Sequence, residues 1–358
     1  MCKKIIFSAG GTGGHIFPAI NLMKHFSEKG YEVVLVTDNR GNNFVNKYSK
    51  FKSYELSAGT PTNKNFFSKI LSFFIIFYSL LKSITILKKE KPDLVIGFGG
   101  YVSFPTSFAT KFFSLPLAIY EPNMVIGRAN RYLLSFSKKI FLAKKIKFNF
   151  PERHKKKVDI VGPIINKNII NCSNLEKKNK ENFSILVLGG SQGAEVFGKI
   201  IPPVINMIKD EGYEININHQ CTTNQKNLII DYYKEKNIKN YVFEFDKNIL
   251  NLILSSDIAI TRCGASATAE LVHTITPFIA VPIPDSIDNH QYLNAKYYAD
   301  MDYCWLLDQH NFNKDNLFNL VIEIIKDKKK LEIKRNNMKN NYTNKVYSVI
   351  EKKIKEII

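Results

Sequence analysis

Residues 4–14 read KIIFSAGGTGG, a short run of β-branched and aromatic residues that stops at a cluster of glycines. A run of this kind predicts a buried strand. The pattern FPAINLMKHFSEKG at 17–30 predicts a helix that ends at Gly30, and YEVVLVT at 31–37 predicts a second strand. Residues 4–37 therefore predict a strand–loop–helix–strand unit, with the glycines forming the turn after the first strand.

The same order of elements returns in the second half of the chain. FSILVL at 183–188 is followed by GGSQGA at 189–194 and by a helical pattern. Strands that alternate with helices are typical of parallel sheets with right-handed crossovers, so we expect two similar α/β halves. Residues 166–182, rich in Asn and Lys, predict an exposed linker, and 345–358 predict a terminal helix with one apolar face. Further strands are expected at 93–97, 116–120, 139–143, 158–161, 214–218, 241–245, 257–261 and 278–282.

The composition narrows the class of protein. The 358 residues carry 51 Lys and Arg against 32 Asp and Glu, a net charge of +19, and 45% are hydrophobic. This length is typical of two globular domains, and the charge favours partners such as nucleic acid, phosphorylated small molecules or anionic membranes. The five cysteines form no Cys-x-x-Cys pair, and the apolar stretch within residues 1–9 is too short for a signal peptide. We therefore expect a reduced, cytosolic protein.

Three glycine clusters follow predicted strands, at 10–14, 97–100 and 189–193. Glycine lets the backbone approach a diphosphate closely, and the N-terminus of a following helix offers free N–H groups. None of the clusters fits the dinucleotide or P-loop signature, since Ile16 stands where the former needs glycine and the Lys-Ser/Thr ending of the latter is absent. Any one cluster can be an ordinary tight turn, but three together favour a phosphate site.

Two later segments add polar groups. GASATAE at 264–270 predicts a helix start of small residues, where Glu270 can accept hydrogen bonds from both hydroxyls of a ribose. HQYLNA at 290–295 opens another helix, where Gln291 can bind sugar hydroxyls. Taken alone, a glutamate such as Glu270 more often belongs to a solvated helix face, and a residue such as Gln291 is usually a helix cap.

Segment 65–87, NFFSKILSFFIIFYSLLKSITIL, is the most apolar part of the chain. Its uninterrupted apolar core, between Lys69 and Lys82, is shorter than the roughly 20 residues that span a bilayer. A buried helix and a spanning helix remain alternatives. We favour a helix at a membrane surface, flanked by lysines that attract anionic headgroups. Its aromatic residues exceed what one core-facing stripe can hide, and the expected membrane contacts are Phe66, Phe67, Phe73, Phe74 and Phe77.

Six motifs resemble, in the same order, those of the MurG family of bacterial glycosyltransferases. They are GGTGGH at 10–15, GGYVSFP at 99–105, EPN at 121–123, GGSQGA at 189–194, CGASATAE at 263–270 and HQYLNA at 290–295. The resemblance covers essentially the whole chain. It implies the α/β GT-B glycosyltransferase fold, two Rossmann-like domains whose parallel sheets face each other across a cleft. Residues 1–162 would form an acceptor- and membrane-binding domain on which helix 345–358 packs, and residues 163–344 a UDP-sugar-binding domain.

The activity implied by the resemblance is one step of peptidoglycan synthesis. N-acetylglucosamine moves from UDP-N-acetylglucosamine to undecaprenyl-diphosphate-N-acetylmuramyl-pentapeptide (lipid I), with inversion and a β-linkage, to form lipid II. The implied enzyme is peripheral, on the cytoplasmic face of the inner membrane, and needs no cofactor and no nucleic acid. The alternatives are a UDP-sugar 2-epimerase or a diacylglycerol galactosyltransferase of the same architecture. A nucleic-acid-binding protein is a further alternative, for which the sequence shows no recognition motif.

Individual residues follow from the same motifs. The donor site implied by the resemblance comprises Thr12, Gly13, Gly14, Asn123, Ser191, Gln192, Ala265, Glu270 and Gln291. His15 is the implied catalytic base, because a helix N-terminus disfavours the imidazolium; a neutral hydrogen-bond donor to the acceptor diphosphate is the alternative. Asp246 replaces the family's hydrophobic residue beside the uracil, and Asn166 replaces an arginine, so neither role is carried over.

The leaving group sets the remaining requirement. Departure of UDP develops negative charge, which a metal ion or fixed dipoles must neutralise. The sequence shows no clustered-carboxylate metal motif in these segments. We therefore expect no metal site, and assign this charge to the helix N-termini that follow Gly193 and Gly264.

Overall fold

The structure is a computed structural model that describes residues 2–10, 13–48, 51–57, 66–146, 150–171, 182–190, 194–339 and 345–358. It divides into two compact units, Met1–Asn166 with Thr343–Ile358, and Lys167–Tyr342. This division falls four residues after the expected position 162. The intervening residues are held within the first unit, because the Ile164 N–H donates to the Tyr120 hydroxyl (3.0 Å) and the Tyr347 hydroxyl donates to the Ile165 carbonyl (2.6 Å).

The first unit is built on a seven-stranded parallel sheet in the order β3-β2-β1-β4-β5-β6-β7. The strands are β1 (Lys4–Ser8), β2 (Glu32–Thr37), β3 (Lys52–Glu55), β4 (Leu94–Gly97), β5 (Leu117–Glu121), β6 (Lys139–Leu142) and β7 (Val158–Ile160). The helices between them are α1 (Gly13–Glu28), α2 (Asn39–Tyr48), α3 (Phe66–Glu90), α4 (Ser103–Ala109) and α5 (Arg128–Leu133). The central strands are buried and apolar, as expected for a sheet covered on both faces.

The second unit repeats this plan with a six-stranded parallel sheet in the order β10-β9-β8-β11-β12-β13. Its strands are β8 (Phe183–Leu188), β9 (Ile215–Gln220), β10 (Lys239–Phe243), β11 (Ile258–Thr261), β12 (Phe278–Ala280) and β13 (Cys304–Leu306). Its helices are α6 (Lys167–Asn171), α7 (Glu195–Asp210), α8 (Thr223–Glu235), α9 (Ile249–Leu254), α10 (Ala265–His273), α11 (His290–Asp300), α12 (Lys314–Lys326) and α13 (Lys328–Lys339). The expectation of two Rossmann-like halves with parallel sheets is confirmed.

Several local expectations need correction. The edge strands β3 and β13 were not expected, and β10 begins and ends two residues before the expected 241–245. Residues 167–171, expected to be an exposed linker, form α6, because Ile169 and Ile170 bury their side chains. The rest of that predicted linker, 172–181, lies outside the described residues.

The last helix, α14 (Val346–Lys355), belongs to the first unit and packs on α1. Ile350 and Ile354 are fully buried in this contact. The Nε2 atom of His25 on α1 lies 3.1 Å from a carboxylate oxygen of Glu351, and the His25 ring packs on Tyr347 with centroids 5.0 Å apart. The C-terminal helix therefore supports the helix that carries His15.

Over much of its length, helix α3 buries small polar side chains and exposes large apolar ones, the reverse of an ordinary surface helix. Ser72, Ser79 and Ser83 are buried, and the Ser83 hydroxyl lies 3.0 Å from the Thr106 hydroxyl of α4. Near its C-terminal end α3 buries Ile86 and Leu87 in the core of the unit. Over 70–81, many apolar side chains are exposed instead: Ile70, Leu71, Phe73, Phe74, Phe77, Tyr78 and Leu81. Residues 70–90 are long and apolar enough to cross a membrane. The alternative of an ordinary buried helix is wrong, because the aromatic face of α3 is not covered by the described residues.

Candidate active site

In the first unit, two glycine turns meet at the carboxyl edge of the sheet. β1 and β4 are parallel neighbours, so the loops that follow them lie side by side. A Cβ atom on Gly10 would come within 2.7 Å of the Val102 Cβ, and one on Gly100, which has a φ of +79°, within 3.2 Å of the Gly10 carbonyl oxygen. Both turns therefore need glycine for close packing.

His15, in the first turn of α1, lies directly against the second of these turns. A Cβ atom on Gly99 would be 3.2 Å from Cε1 and 3.3 Å from Nδ1 of the His15 ring. The same Cβ would be 3.3 Å from the side-chain amide of Asn130. Gly99 also has a φ of +85°, where a side chain is strained. The backbone of the second loop thus fixes the place of the ring.

A buried carboxylate organises the loop that follows β5. Glu121 accepts hydrogen bonds from the backbone N–H of Asn123 (3.2 Å) and of Gly127 (2.9 Å), and from the side-chain amides of Asn123 (3.0 Å) and Asn130 (2.9 Å). Burial raises the pKa of Glu121, and these donors partly offset that effect by stabilising the charge. Sequence reasoning missed Glu121 and Asn130. The EPN motif contained the signal, since a carboxylate at the end of a buried strand needs donors nearby.

The predicted residues of the first unit are only partly described. Gly13 and Gly14 form the start of α1, and the side-chain amide of Asn123 is oriented by Glu121. Thr12 lies outside the described residues. The first unit therefore gathers His15, Gly99 and the Glu121 network at one edge of its sheet.

The carboxyl edge of the second sheet has the same construction. β8 and β11 are parallel neighbours, and the Arg262 N–H donates to the Leu188 carbonyl (3.1 Å), which ties together the starts of the two loops. Gly190 has a φ of +81°, which only glycine adopts readily. Ser191 and Gln192, together with Gly193, lie outside the described residues.

Helix α10 begins at Ala265 with Gly264 as its N-cap residue, and no side chain of the described residues caps it. The N–H groups of a helical first turn have no acceptor within the helix. Gly264 has φ −66° and ψ 140°, and a Cβ atom there would meet nothing described within 4 Å. Neither backbone strain nor packing among these residues accounts for glycine at this position.

Gln291 has a fixed orientation. Its side-chain oxygen accepts the N–H groups of Cys263 (3.2 Å) and Ile283 (3.1 Å), which follow β11 and β12 respectively. The amide oxygen is therefore committed to the backbone, and the Nε2 atom is the group that can donate to a ligand. Gln291, a predicted donor-site residue, therefore lies beside the start of α10.

Glu270 is partly buried on α10, five residues after Ala265. Among the described residues, no group forms a hydrogen bond or ion pair with its carboxylate. Burial raises its pKa to about 7, because no positive charge compensates the lost hydration. A half-buried carboxylate without a partner is suited to accept hydrogen bonds from a ligand.

Asp246 uses its carboxylate locally. One oxygen accepts the Tyr241 hydroxyl (2.8 Å) and the other accepts the Asn248 N–H (2.6 Å). This arrangement forms a turn after β10, so the carboxylate is already bonded within the turn. Phe245, the preceding residue, is exposed.

Arg262 is a buried cation that sequence reasoning missed. Its guanidinium donates to the carbonyls of Val281 (3.0 Å) and Pro282 (3.3 Å) and to the Gln309 side chain (2.6 Å), and it lies 4.8 Å from the Phe197 ring centroid. Burial lowers its pKa. It links the loops after β11, β12 and β13.

In the part of the chain that the structure describes, no group of three His, Cys, Asp or Glu side chains is arranged to hold a metal ion.

Comparisons with known proteins place this architecture in a class. The models of the glycosyltransferase family 28 N-terminal and C-terminal domains match residues 5–142 and 184–352. The fold is similar to that of the crystal structure of Acinetobacter baumannii MurG, with a TM-score of 0.77 and 23% identity over 99% of both chains. It is also similar to that of a UDP-N-acetylglucosamine 2-epimerase, with a TM-score of 0.63 and 11% identity over 98% of this chain and 95% of the other. The class is that of GT-B glycosyltransferases and their structural relatives.

Sequence relatives narrow the class to one family. A protein of Pelagibacter ubique is 35% identical over 96% of both chains, and one of Rickettsia canadensis is 35% identical over 94% of both. Both are named UDP-N-acetylglucosamine–N-acetylmuramyl-(pentapeptide) pyrophosphoryl-undecaprenol N-acetylglucosamine transferase. The chain belongs to glycosyltransferase family 28 and, within it, to the MurG family.

A matched pair of glycine substitutions tests whether the Gly99 backbone fixes His15. Gly30 and Gly99 both have a φ above +80°, so alanine at either position incurs a strain of about 1–2 kcal/mol. A Cβ on Gly30 meets nothing within 4 Å, whereas one on Gly99 displaces the His15 ring. We expect both variants to lower the thermal midpoint, but only Gly99→Ala to lower the glycosyl-transfer kcat, by at least about tenfold. Equal kcat values for the two variants would show that the contact between Gly99 and His15 does not affect catalysis.

Proposed function

We propose that this chain transfers N-acetylglucosamine from UDP-N-acetylglucosamine to lipid I to form lipid II. The observation that carries the proposal is family membership over nearly the whole chain. It is supported by the second unit, where the Gln291 oxygen accepts the Cys263 N–H just before the start of α10, the helix that carries Glu270. The epimerase alternative shares the fold at low identity, and fold alone does not separate the two activities.

The donor diphosphate is assigned to the N-terminus of α10. Its first-turn N–H groups need acceptors, the helix dipole favours an anion there, and the space beside Gly264 is open. The start of α7 is less suited, because Glu195 places an acidic side chain in its first turn. Ser191 and Gln192 are assigned to the same diphosphate on the motif alone, and Ala265 through its backbone N–H.

The rest of the donor is assigned to Glu270 and Gln291. The carboxylate of Glu270, which has no hydrogen-bond partner among the described residues, accepts hydrogen bonds from the two ribose hydroxyls. The Nε2 group of Gln291 donates to an oxygen of the transferred sugar, since its own oxygen is committed to the backbone. Asp246 does not contribute its carboxylate, so any contact with uracil there runs through the backbone or through Phe245.

His15 is assigned the role of base in the first unit. The acceptor hydroxyl oxygen attacks C1 of the sugar, its proton passes to the imidazole, and UDP leaves with the electron pair of the broken C1–O bond. Displacement in one step inverts C1 and gives the β-linkage. Asn123, held by Glu121, and the backbone of Thr12, Gly13 and Gly14 are assigned to the reacting sugar.

A transfer assay tests the function directly. Radiolabelled UDP-N-acetylglucosamine is incubated with the lipid-linked muramyl-pentapeptide acceptor, and label is followed into the lipid phase. We expect acceptor-dependent label in lipid, and His15→Ala to lower kcat by about 10²-fold or more with the donor KM within about twofold. Release of a free, epimerised UDP-sugar without acceptor would overturn the proposal, and near-wild-type turnover of the variant would remove the base role.

The pKa of Glu270 gives a pH prediction. A carboxylate with a pKa of about 7 is ionised above pH 7 and protonated below it, so donor affinity should rise as the pH increases through 7. The diphosphate diester of UDP-N-acetylglucosamine does not titrate in this range, so the change reports on the protein. Glu270→Gln should bind the donor weakly with a flat pH profile and should unfold at a higher temperature, since the variant buries no charge. A wild-type affinity that is independent of pH between 6 and 8 would exclude this role.

We propose that the exposed face of α3 is the membrane contact, which makes the enzyme peripheral at the cytoplasmic side of the inner membrane. Phe73, Phe74 and Phe77 lie on this face, while the serine face is hydrogen-bonded within the first unit. That division supports a helix lying on the bilayer over one that spans it. Phe66 and Phe67 belong to the same helix, but the structure does not describe their side chains. The exposed cations beside this face are Lys82, Lys88, Lys89 and Lys91.

Vesicle co-sedimentation tests this contact. Phe73→Ser/Phe74→Ser should lower binding to anionic vesicles by about tenfold or more, and added salt should weaken wild-type binding because headgroup attraction is screened. Leu228→Ser in the second unit, where Leu228 is 73% exposed, is the matched control and should bind normally. Indifference to both the substitutions and salt would contradict the proposal.

A further inference from the structure

Two side chains of helix α11 bond the backbone of Cys263, the residue just before the N-cap of α10, one at its N–H and one at its carbonyl. The Gln291 oxygen accepts the Cys263 N–H (3.2 Å), and the Asn294 side-chain amide donates to the Cys263 carbonyl (3.1 Å). The two side chains are three residues apart and therefore lie on the same face of α11. Cys263 and Asn294 are both fully buried.

Cys263 directly precedes the N-cap residue of α10, so its orientation sets the direction of the helix start. On the other side of the N-cap, the Gly264 carbonyl accepts the Thr268 N–H (3.1 Å) and the Thr268 hydroxyl (3.0 Å). The Cys263 N–H, the Cys263 carbonyl and the Gly264 carbonyl are thus all bonded. The N–H groups of the first turn that follow are held in a fixed direction.

We propose that Asn294 is a positioning residue for the donor diphosphate, acting through Cys263 on the first-turn N–H groups of α10. The inference rests on the proposed donor site. Asn294 has no exposed surface and therefore does not itself touch the ligand. Its role is to keep backbone donors aimed before the ligand arrives, which matters because hydrogen bonds to a charged group depend steeply on geometry.

The chemistry of the side chain explains why an amide is needed. Its side-chain N–H donates to the carbonyl of Cys263, a fully buried residue, and removing the amide takes this donor away. In Asn294→Asp a carboxylate or carboxyl oxygen of the same size takes the place of that N–H, and the ionised form repels the Cys263 carbonyl. In Asn294→Ala the donor is removed without a new charge. Both variants release the same peptide group, by different means.

The test compares UDP with uridine, because only UDP has the phosphates that reach α10. We expect Asn294→Asp and Asn294→Ala to lower UDP affinity by about tenfold or more, measured by calorimetry, and uridine affinity by less than about twofold. The donor KM should rise more than kcat falls. Asn240→Asp is the matched control: its amide also donates to a backbone carbonyl, that of Ile238 (2.9 Å), but at β10. This control should leave the ratio of UDP to uridine affinity unchanged.

The outcomes separate this inference from the proposed function. An equal loss of UDP and uridine affinity, or a control variant that behaves like Asn294→Asp, would show a merely structural role and overturn the inference. Unchanged UDP affinity in both Asn294 variants would do the same. If Asn294→Asp does not fold, Asn294→Ala decides. Wild-type protein that binds UDP no more tightly than uridine would overturn the donor site itself, and the inference with it.

Discussion

The peptide N–H groups at the starts of helices, held at one edge of a parallel sheet, are the feature on which the account depends. Parallel pairing brings every strand to its carboxyl end at that edge, and the helices begin there with donors that have no partner inside the helix. A loop cannot aim such donors unless its backbone is fixed. In this chain side chains fix the loops: the half-buried Gln291 and the buried Asn294 around Cys263 in the second unit, and the buried Glu121 with its amide partners in the first.

Helix α3 shows the opposite use of hydrophobic residues from that of the core. Small hydroxyl side chains allow it to lie close to α4, with hydrogen bonds to Thr106 and to the Ser57 carbonyl, while phenylalanines are left outside. In water alone the exposed aromatic side chains are unfavourable, since burying one contributes about 1.5–3 kcal/mol. An orientation with the aromatic face outward is stable where that face meets lipid. At its C-terminal end, Glu90 accepts hydrogen bonds from Lys4 (3.1 Å) and Tyr54 (2.5 Å), and so anchors the helix to the sheet.

The sequence alone predicts the parts of the fold in which local and long-range preferences agree. The buried strands of the sheet centres, the glycine turns and the family motifs are of this kind. The edge strands β3 and β13 are not, because KSYE and CWL are short and have no strong period, so pairing with the neighbouring strand decides them. The site divides in the same way. His15, Glu270 and Gln291 stand in motifs, whereas the contacts between motifs, such as the bond from Asn294 to the Cys263 carbonyl 31 residues away, are revealed only by the structure. Asp246 differs again, since its carboxylate is used by its own turn.

The most direct test of the central claim is the affinity for UDP and for uridine in the presence of a chelator, in wild-type protein and in Gly264→Ala. Gly264 has an ordinary negative φ and open space beside it, so a methyl group there causes no clash with the described residues but stands beside the N–H groups to which the diphosphate is assigned. We expect wild type to bind UDP more tightly than uridine without any divalent ion. We also expect the substitution to remove most of this difference while uridine affinity stays unchanged and the thermal midpoint falls slightly, since alanine is a poorer N-cap residue than glycine. A preference for UDP that appears only when a divalent ion is added, or that survives the substitution intact, would contradict the central claim.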